Sequence, residues 1–401
     1  MLHFMAFFDM IDFICPESTD FRAGRGEKRM ENQPVRIAQM MTDMNYGGAE
    51  MAVLNIYRHI DRARYQFDFF ALEGSSIPGR QEIEALGGRI YVLPGLKKFP
   101  AYVKMATRIL QENRYPMVHS HMNTLSAFSL YAAGKAGIPV RIAHSHSVAG
   151  KGEGLRNLAK YGLRTLLIPL PTHRAACSRQ AGKWLFGEKK FRILPNGVDF
   201  QTFAFDPEKR AQMRKNLGLE KRFVVGHIGR FCYAKNHEFL LEVFAEIRRK
   251  RKNALLLLVG EGPLQKKIQK KAENMGLLDD ILFLKPRIAV SGLYAAMDVF
   301  LLPSRYEGMS MAAMEAQAAG LPCILSTAEP EEGRIRQDCR RLPLKAGAEA
   351  WAGAALEAEA SDRQQNNFLP QIQIYTPKQQ AAAWMGFYDE ILEKDSRLCG
   401  L

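Results

Sequence analysis

The sequence predicts an α/β protein built from two doubly wound parallel-sheet domains, and three observations predict it. The chain has 401 residues, too long for one ordinary core. Short apolar runs of strand length alternate with helical stretches, the pattern of a parallel sheet covered by helices. The alternation pauses at one turn cluster, Pro195-Asn196-Gly197-Val198-Asp199, and then restarts. With 47% hydrophobic and 24% charged residues, the chain is globular and not disordered.

The elements follow in order. Residues 21–34 are polar and charged and read as a linker behind an apolar start that carries Asp9 and Asp12. That start has no basic leader and no small-residue cleavage site. It is expected to be an added segment or the product of an early start codon, with Met30 just ahead of the first convincing strand. Val35–Met41 is that strand, and helix Ala49–Ile60 follows. Strands are predicted at Tyr65–Ala71, Arg89–Leu93, Met117–Ser120 and Arg141–His144, with helix Ala101–Glu112 among them. After the turn cluster come Phe223–Ile228 and a helix over Glu238–Arg249, in which Leu240, Val243, Phe244 and Ile247 share one face. Further strands are Leu255–Val259, Ile281–Leu284, Val299–Leu302 and Cys323–Ser326. The last helical stretch, Pro377–Leu392, is apolar enough to cap either domain. This divides the chain into an extension and linker (1–34), a first domain (35–200), a second (201–375) and a terminal helix with its tail (376–401).

Composition narrows the class. A net charge of +14 favours an anionic partner: nucleic acid, an anionic membrane or a phosphate-bearing substrate. No recognition helix, RNA-binding aromatic motif or zinc module appears, so nucleic acid is not an expected partner. No apolar run has the roughly 20 residues of a membrane span. Six cysteines form no CxxC pair and read as reduced thiols of a cytoplasmic protein.

Five motifs carry chemistry. Gly47-Gly48-Ala49-Glu50 joins the first strand to the first helix, where missing Cβ atoms and free N–H groups suit an anion and equally suit a tight turn. His119-Ser120-His121 ends one strand and His144-Ser145-His146 the next, at the carboxyl edge where open sheets bind ligands. Alternation puts His119 and His121 on one side, with one interior and one exposed at the tip. No Cys or carboxylate joins these histidines at ligand spacing, so no metal is expected. Gly229-Arg230 with Lys235 follows the first strand of the second domain and matches phosphate oxygens. Pro303-Ser304-Arg305-Tyr306-Glu307-Gly308 opens a helix over Met309–Gly320. There the N–H groups of Met309, Ser310 and Met311 suit phosphate, and Glu307 and Glu315 suit sugar hydroxyls. Finally, Lys151–Arg192 holds ten lysines and arginines against Glu153 and Glu188. Arg156, Lys160 and Arg164 recur every four residues as a stripe, which suits an anionic leaflet or a solvated helix face.

As a set these residues resemble glycosyltransferase family 4. The signature is Asp298-Val299-Phe300-Leu301-Leu302-Pro303-Ser304, Glu307, seven residues, Glu315, then Ala316-Gln317-Ala318-Ala319-Gly320-Leu321-Pro322. Gly47-Gly48-Ala49-Glu50, His119-Ser120-His121, Asn196-Gly197-Val198-Asp199, Gly229-Arg230 with Lys235, and Val259-Gly260-Glu261-Gly262-Pro263 support it in order over about residues 35–395. The resemblance implies a GT-B fold: two Rossmann-like doubly wound domains facing a central cleft, the first on the acceptor side and the second holding the donor, with the C-terminal helix crossing back.

It further implies a retaining, metal-independent transferase that takes a nucleotide-diphosphate sugar as co-substrate and needs no cofactor. Its acceptor would be a glycan or lipid-linked glycan of capsule or exopolysaccharide synthesis, reached from the cytoplasm or the inner face of the membrane. Gly48 would offer its N–H to the donor phosphate. Gly229, Arg230 and Lys235 would meet the diphosphate together with Gly308, Met309, Ser310 and Met311. Glu307 would meet the sugar, Glu315 the ribose, and the backbone at Arg287 the base. His121 would stand at the reaction centre, with His144 and His146 on the acceptor side. Two other classes compete: a GT-B nucleotide-sugar epimerase, and a non-catalytic subunit of a glycan-synthesis complex. The string through Gly320-Leu321-Pro322 disfavours the first. Retention of Arg230, Lys235, Glu307 and Glu315 disfavours the second.

Overall fold

The computed structural model describes residues 33–42, 44–45, 47–150, 154–285, 290–358, 363 and 367–394. Seven strands form the first sheet: β1 (Val35–Met40), β2 (Tyr65–Leu72), β3 (Ile90–Leu93), β4 (Met117–Ser120), β5 (Val140–Ser145), β6 (His173–Ala176) and β7 (Arg192–Ile193). Six form the second: β8 (Phe223–Ile228), β9 (Ala254–Val259), β10 (Ile281–Leu284), β11 (Val299–Leu302), β12 (Cys323–Ser326) and β13 (Arg340–Leu342). Their spatial orders are β3-β2-β1-β4-β5-β6-β7 and β10-β9-β8-β11-β12-β13. Every pairing between these strands is parallel. Both sheets are doubly wound, and in both the order reverses beside the first strand, which opens a crevice at the carboxyl edge.

The strands read as continuous apolar runs because parallel sheets are covered on both faces. All of β2 is buried. Each sheet has a core on either face: Ile37, Phe67 and Ile142 on one side of the first, Phe70, Val118 and Leu130 on the other. Phe244 and Leu256, then Phe300 and Leu325, do the same for the second. A fifth cluster joins the halves, with Val148, Cys177 and Val198 packed against Met309, Met314 and Ile335.

Three strands fall where sequence patterning predicts none. β6 and β7 lie inside the basic stretch and begin with charged or polar residues, and the edge strand β13 carries Arg340 and Arg341. The C-terminal helix, Pro377–Lys394, crosses back. Trp384, Phe387, Tyr388 and Ile391 enter the core of the first domain, and Asp389 pairs with Arg64 at 2.6 Å. Burying each of its large side chains contributes roughly 1.5–3 kcal/mol. Of the two placements open to this helix, the first domain is the one realised. Among the described residues, no helix is long and apolar enough to cross a membrane.

Candidate active site

The loops after β8 and β11 build the second-domain wall. The main-chain N–H of Gly229 donates to Val259 at 2.9 Å, and the loop then passes so close to Gly260 that a Cβ there would fall 2.1 Å from the Gly229 carbonyl. Only glycine permits that approach. Asn236, at φ 56°, then ends the turn Tyr233–Lys235 and starts the helix His237–Lys250. Asparagine is among the few residues that tolerate this left-handed region. Arg305 fastens the two loops together: its N–H reaches Ala234 at 2.7 Å, and its guanidinium donates to Tyr233 at 2.8 Å and stacks on that ring.

This brings Lys235 and Glu307 together. The ammonium donates to Glu307 Oε1 at 2.6 Å, with both side chains less than a fifth exposed. Ser304 Oγ donates to the same oxygen at 2.6 Å. Burial opposes the charge on Lys235, but Glu307 outweighs it and the ammonium is held above its usual range. An ammonium has three donors, so the pair leaves Lys235 two for an anion. Arg230 is exposed beside it. Glu315 lies two helical turns on, where burial pushes its carboxyl up to about 7 against the hydrogen bond from Tyr294 Oη at 2.8 Å.

The helix expected from Met309 begins at Met311, capped by Ser310. The carbonyls of Gly308 and Met309 turn to the first domain. Ser178 Oγ donates to the Gly308 carbonyl at 2.5 Å and Asn196 to the Met309 carbonyl at 3.0 Å. A Cβ on Gly308 would fall 2.1 Å from the His146 carbonyl. The Ser310 N–H, expected to face phosphate, donates to the Glu329 carboxyl at 2.9 Å. Across the cleft, a Cβ on Gly48 would lie 3.6 Å from Met311 Cγ, so the two helix N-termini meet. Arg287 lies outside the described residues.

The first-domain wall is a histidine quartet. The expectation that one of His119 and His121 is exposed at the tip fails: they are 0% and 3% exposed, and His144 is 0%. Trp384 from the C-terminal helix covers them, stacking on His121 with ring centroids 5.6 Å apart. His121 Nε2 bonds Gln39 Oε1 at 2.8 Å and its Nδ1 bonds His146 Nε2 at 2.8 Å. His119 bonds Tyr388 at 2.9 Å and His144 Nδ1 at 3.1 Å. With Gln39 Oε1 accepting, His121 carries its proton on Nε2, His146 donates to His121, and His146 Nδ1 is left as an acceptor. That nitrogen and His144 Nε2 have no hydrogen-bond partner. Burial, and then the other imidazoles, hold His119, His121 and His144 well below the ordinary range, and burial alone brings His146 to about 4. His119, His121 and His144 place one ring nitrogen each within 4.8 Å of the others, but Gln39, Tyr388 and neighbouring imidazoles already engage nitrogens of this group.

Lys160 and Arg164 of the basic stripe are half-buried. Lys160 lies over the Tyr306 ring at 5.9 Å, and Arg164 donates to the Leu185 carbonyl at 3.1 Å. The exposed positions of that helix include Leu158 and Tyr161. Outward charge is concentrated instead at Arg179, Lys183, Lys189, Lys190 and Arg192. Sequence reasoning also missed Gln39, Ser304, Tyr294, Trp384 and Tyr388 as partners of site residues, and it did not single out Glu329.

Two doubly wound parallel-sheet domains flanking a cleft define the GT-B class. Solved structures agree on the fold. Anabaena HepE in complex with UDP and glucose superposes with a TM-score of 0.74 at 17% identity, covering 89% of this chain and all of that one. Sucrose-phosphate synthase from Thermosynechococcus elongatus also gives 0.74, at 19% identity, covering 90% of this chain and all of that one. The model for glycosyltransferase family 4 matches residues 46–202, and that for glycosyl transferases group 1 matches 208–371. A putative glycosyltransferase of Bacillus subtilis, EpsF, is 32% identical over 91% of this chain and 99% of its own length. The chain therefore belongs to this glycosyltransferase family. An Escherichia coli UDP-Gal:alpha-D-GlcNAc-diphosphoundecaprenol alpha-1,3-galactosyltransferase is 29% identical over 55% of this chain and 59% of its own length.

Proposed function

We propose that this chain transfers a sugar, with retention, from a nucleotide-diphosphate sugar to a glycan or lipid-linked acceptor in capsule or exopolysaccharide synthesis. The observation that carries the reading is the buried Lys235–Glu307 pair at the carboxyl edge of the second sheet, opposite Gly48. Lys235 and Arg230 meet the diphosphate and stabilise the charge that grows on it as the bond to the sugar breaks. Glu307 accepts from a sugar hydroxyl through Oε2, and Glu315 from the ribose. A donor phosphate oxygen takes the acceptor proton on the face the nucleotide leaves, with the quartet at His121 alongside. The E. coli relative's diphosphoundecaprenol acceptor supports a lipid-linked acceptor.

Work on such a carrier places the enzyme at the inner face of the membrane. Residues 151–192 supply the contact, through the exposed Arg179–Arg192 end and not through Lys160 and Arg164. Cationic side chains near an anionic surface contribute about 1 kcal/mol each.

A donor screen tests the reading by measuring released nucleoside diphosphate with and without acceptor. One donor is expected to stand out, and EDTA is expected to leave its turnover unchanged. Release from no nucleotide sugar, or a tenfold EDTA loss restored by magnesium, contradicts it.

A further inference from the structure

A buried carboxyl beside the Lys235–Glu307 pair has no place in those roles. Glu329 is 1% exposed. Its Oε1 accepts the Ser310 N–H at 2.9 Å, at the cap of the helix Met311–Ala318, while its Oε2 is buried with no hydrogen-bond partner. The side chain is walled in: a Cβ on Gly333 would fall 2.2 Å from Oε1, and Arg341 donates to the Glu329 main-chain carbonyl. A buried oxygen without a partner is destabilising, and a ligand supplying the missing partner removes that cost.

The neighbours decide its charge. The charges and thiols that act on it electrostatically are Glu307 and Lys235 on the loops after β11 and β8, Arg341 on β13, Cys177 at the end of β6, and Cys339 just before β13. Burial first and Glu307 second push its carboxyl up to about 8. Ser310, Lys235 and Arg341 pull the other way and do not prevail. Below that pH it carries a proton. A diphosphate oxygen is an acceptor only, and it repels a second carboxylate beside Glu307. A carboxyl that stays in this position while a diphosphate binds must therefore donate.

We propose that Glu329 is a donor-binding residue that stays neutral and donates its carboxyl O–H to an oxygen of the bound diphosphate. This rests on the donor-site reading above and adds a residue to it.

The test is the donor KM and kcat from pH 6.5 to 9.5 for wild type, Glu329→Gln, Glu329→Ala, Glu315→Gln and Lys235→Ala, with melting temperatures. For wild type, KM is expected to be flat below about pH 8 and to rise about tenfold per unit above it, with kcat changing less. Glu329→Gln keeps a donor at the position. Its KM is expected within threefold of wild type at pH 7, with the alkaline limb gone. Glu329→Ala is expected to raise KM at least tenfold. Glu315 titrates about a unit lower, near 7, and Glu315→Gln is expected to keep the limb. Cys339, pushed up to about 12, and Lys235 titrate above the window.

A wild type with no limb overturns the proposal without any variant. So does Glu329→Gln with the limb intact or a tenfold higher KM at pH 7, and so does Glu329→Ala with a wild-type KM. If Lys235→Ala turns over donor within threefold of wild type, the donor-site reading fails and not the role of Glu329 within it.

Discussion

The two walls of the cleft solve opposite problems with buried polar groups. In the first domain, four imidazoles bond in pairs and to Gln39 and Tyr388, leave His144 Nε2 and His146 Nδ1 without partners, and are held neutral by burial. In the second, the Lys235 ammonium is held by Glu307, and burial raises the carboxyls of Glu315 and Glu329. The first wall offers hydrogen bonds without charge, which suits sugar hydroxyls and a reacting carbon. The second offers charge and donors, which suits a diphosphate. Binding strength is expected to reside in the second wall, and the geometry of reaction in the first.

The largest effect expected is from Lys235→Ala and Glu307→Gln. Breaking a buried charge pair at a bound phosphate or sugar costs on the order of 2–5 kcal/mol, so turnover of each variant should be abolished while the fold survives. Activity within threefold of wild type for both, read beside the melting temperature, sinks the assignment of the charged wall. Next comes His121→Ala, expected to lower kcat on the order of a hundredfold with donor KM little changed. An equal loss in KM would erase the distinction between the walls.

The neutral histidines also set an acid limit. His119, His121, His144 and His146, with His227 at about 4 and His237 at about 2 in the second domain, protonate far more readily once unfolded, near 6.5. Their neutral forms favour the fold, so this stability is fully present above about pH 6.5 and is lost as pH falls towards 4. Denaturation at pH 5 should show net uptake of roughly four protons on unfolding, from these histidines less those that Glu315 and Glu329 release, and uptake of fewer than about two there contradicts it. The smallest effect concerns the surface. Arg179→Glu, Lys183→Glu and Lys189→Glu together should weaken flotation on anionic liposomes at low salt, while Lys160→Glu and Arg164→Glu should change it little.

Much of this was legible in the sequence. The apolar runs located ten of the thirteen strands, because parallel strands are buried on both faces and cannot hide. β6, β7 and β13 escaped because they lie towards sheet edges and carry charge. The motifs located Lys235, Glu307 and Glu315, whose spacing along one loop or helix is local. Pairings across the fold were not legible. His121 with Gln39 and His119 with Tyr388 join residues 82 and 269 positions apart. Lys160 and Arg164, four apart, show the limit of periodicity, which fixes that residues share a face but not which way the face turns. Glu329 lies among several Glu and Arg residues between Thr327 and Arg341, none of which marks it out, and only folding placed it against Ser310.

The most direct test of the division between the walls is calorimetric titration of the preferred nucleotide sugar into wild type, Lys235→Ala and His121→Ala, beside the turnover of each. Lys235→Ala is expected to lose donor binding at least thirtyfold, while His121→Ala is expected to bind donor within threefold of wild type and fail to turn it over. Wild-type binding by Lys235→Ala, or a binding loss in His121→Ala equal to its loss of turnover, would contradict it.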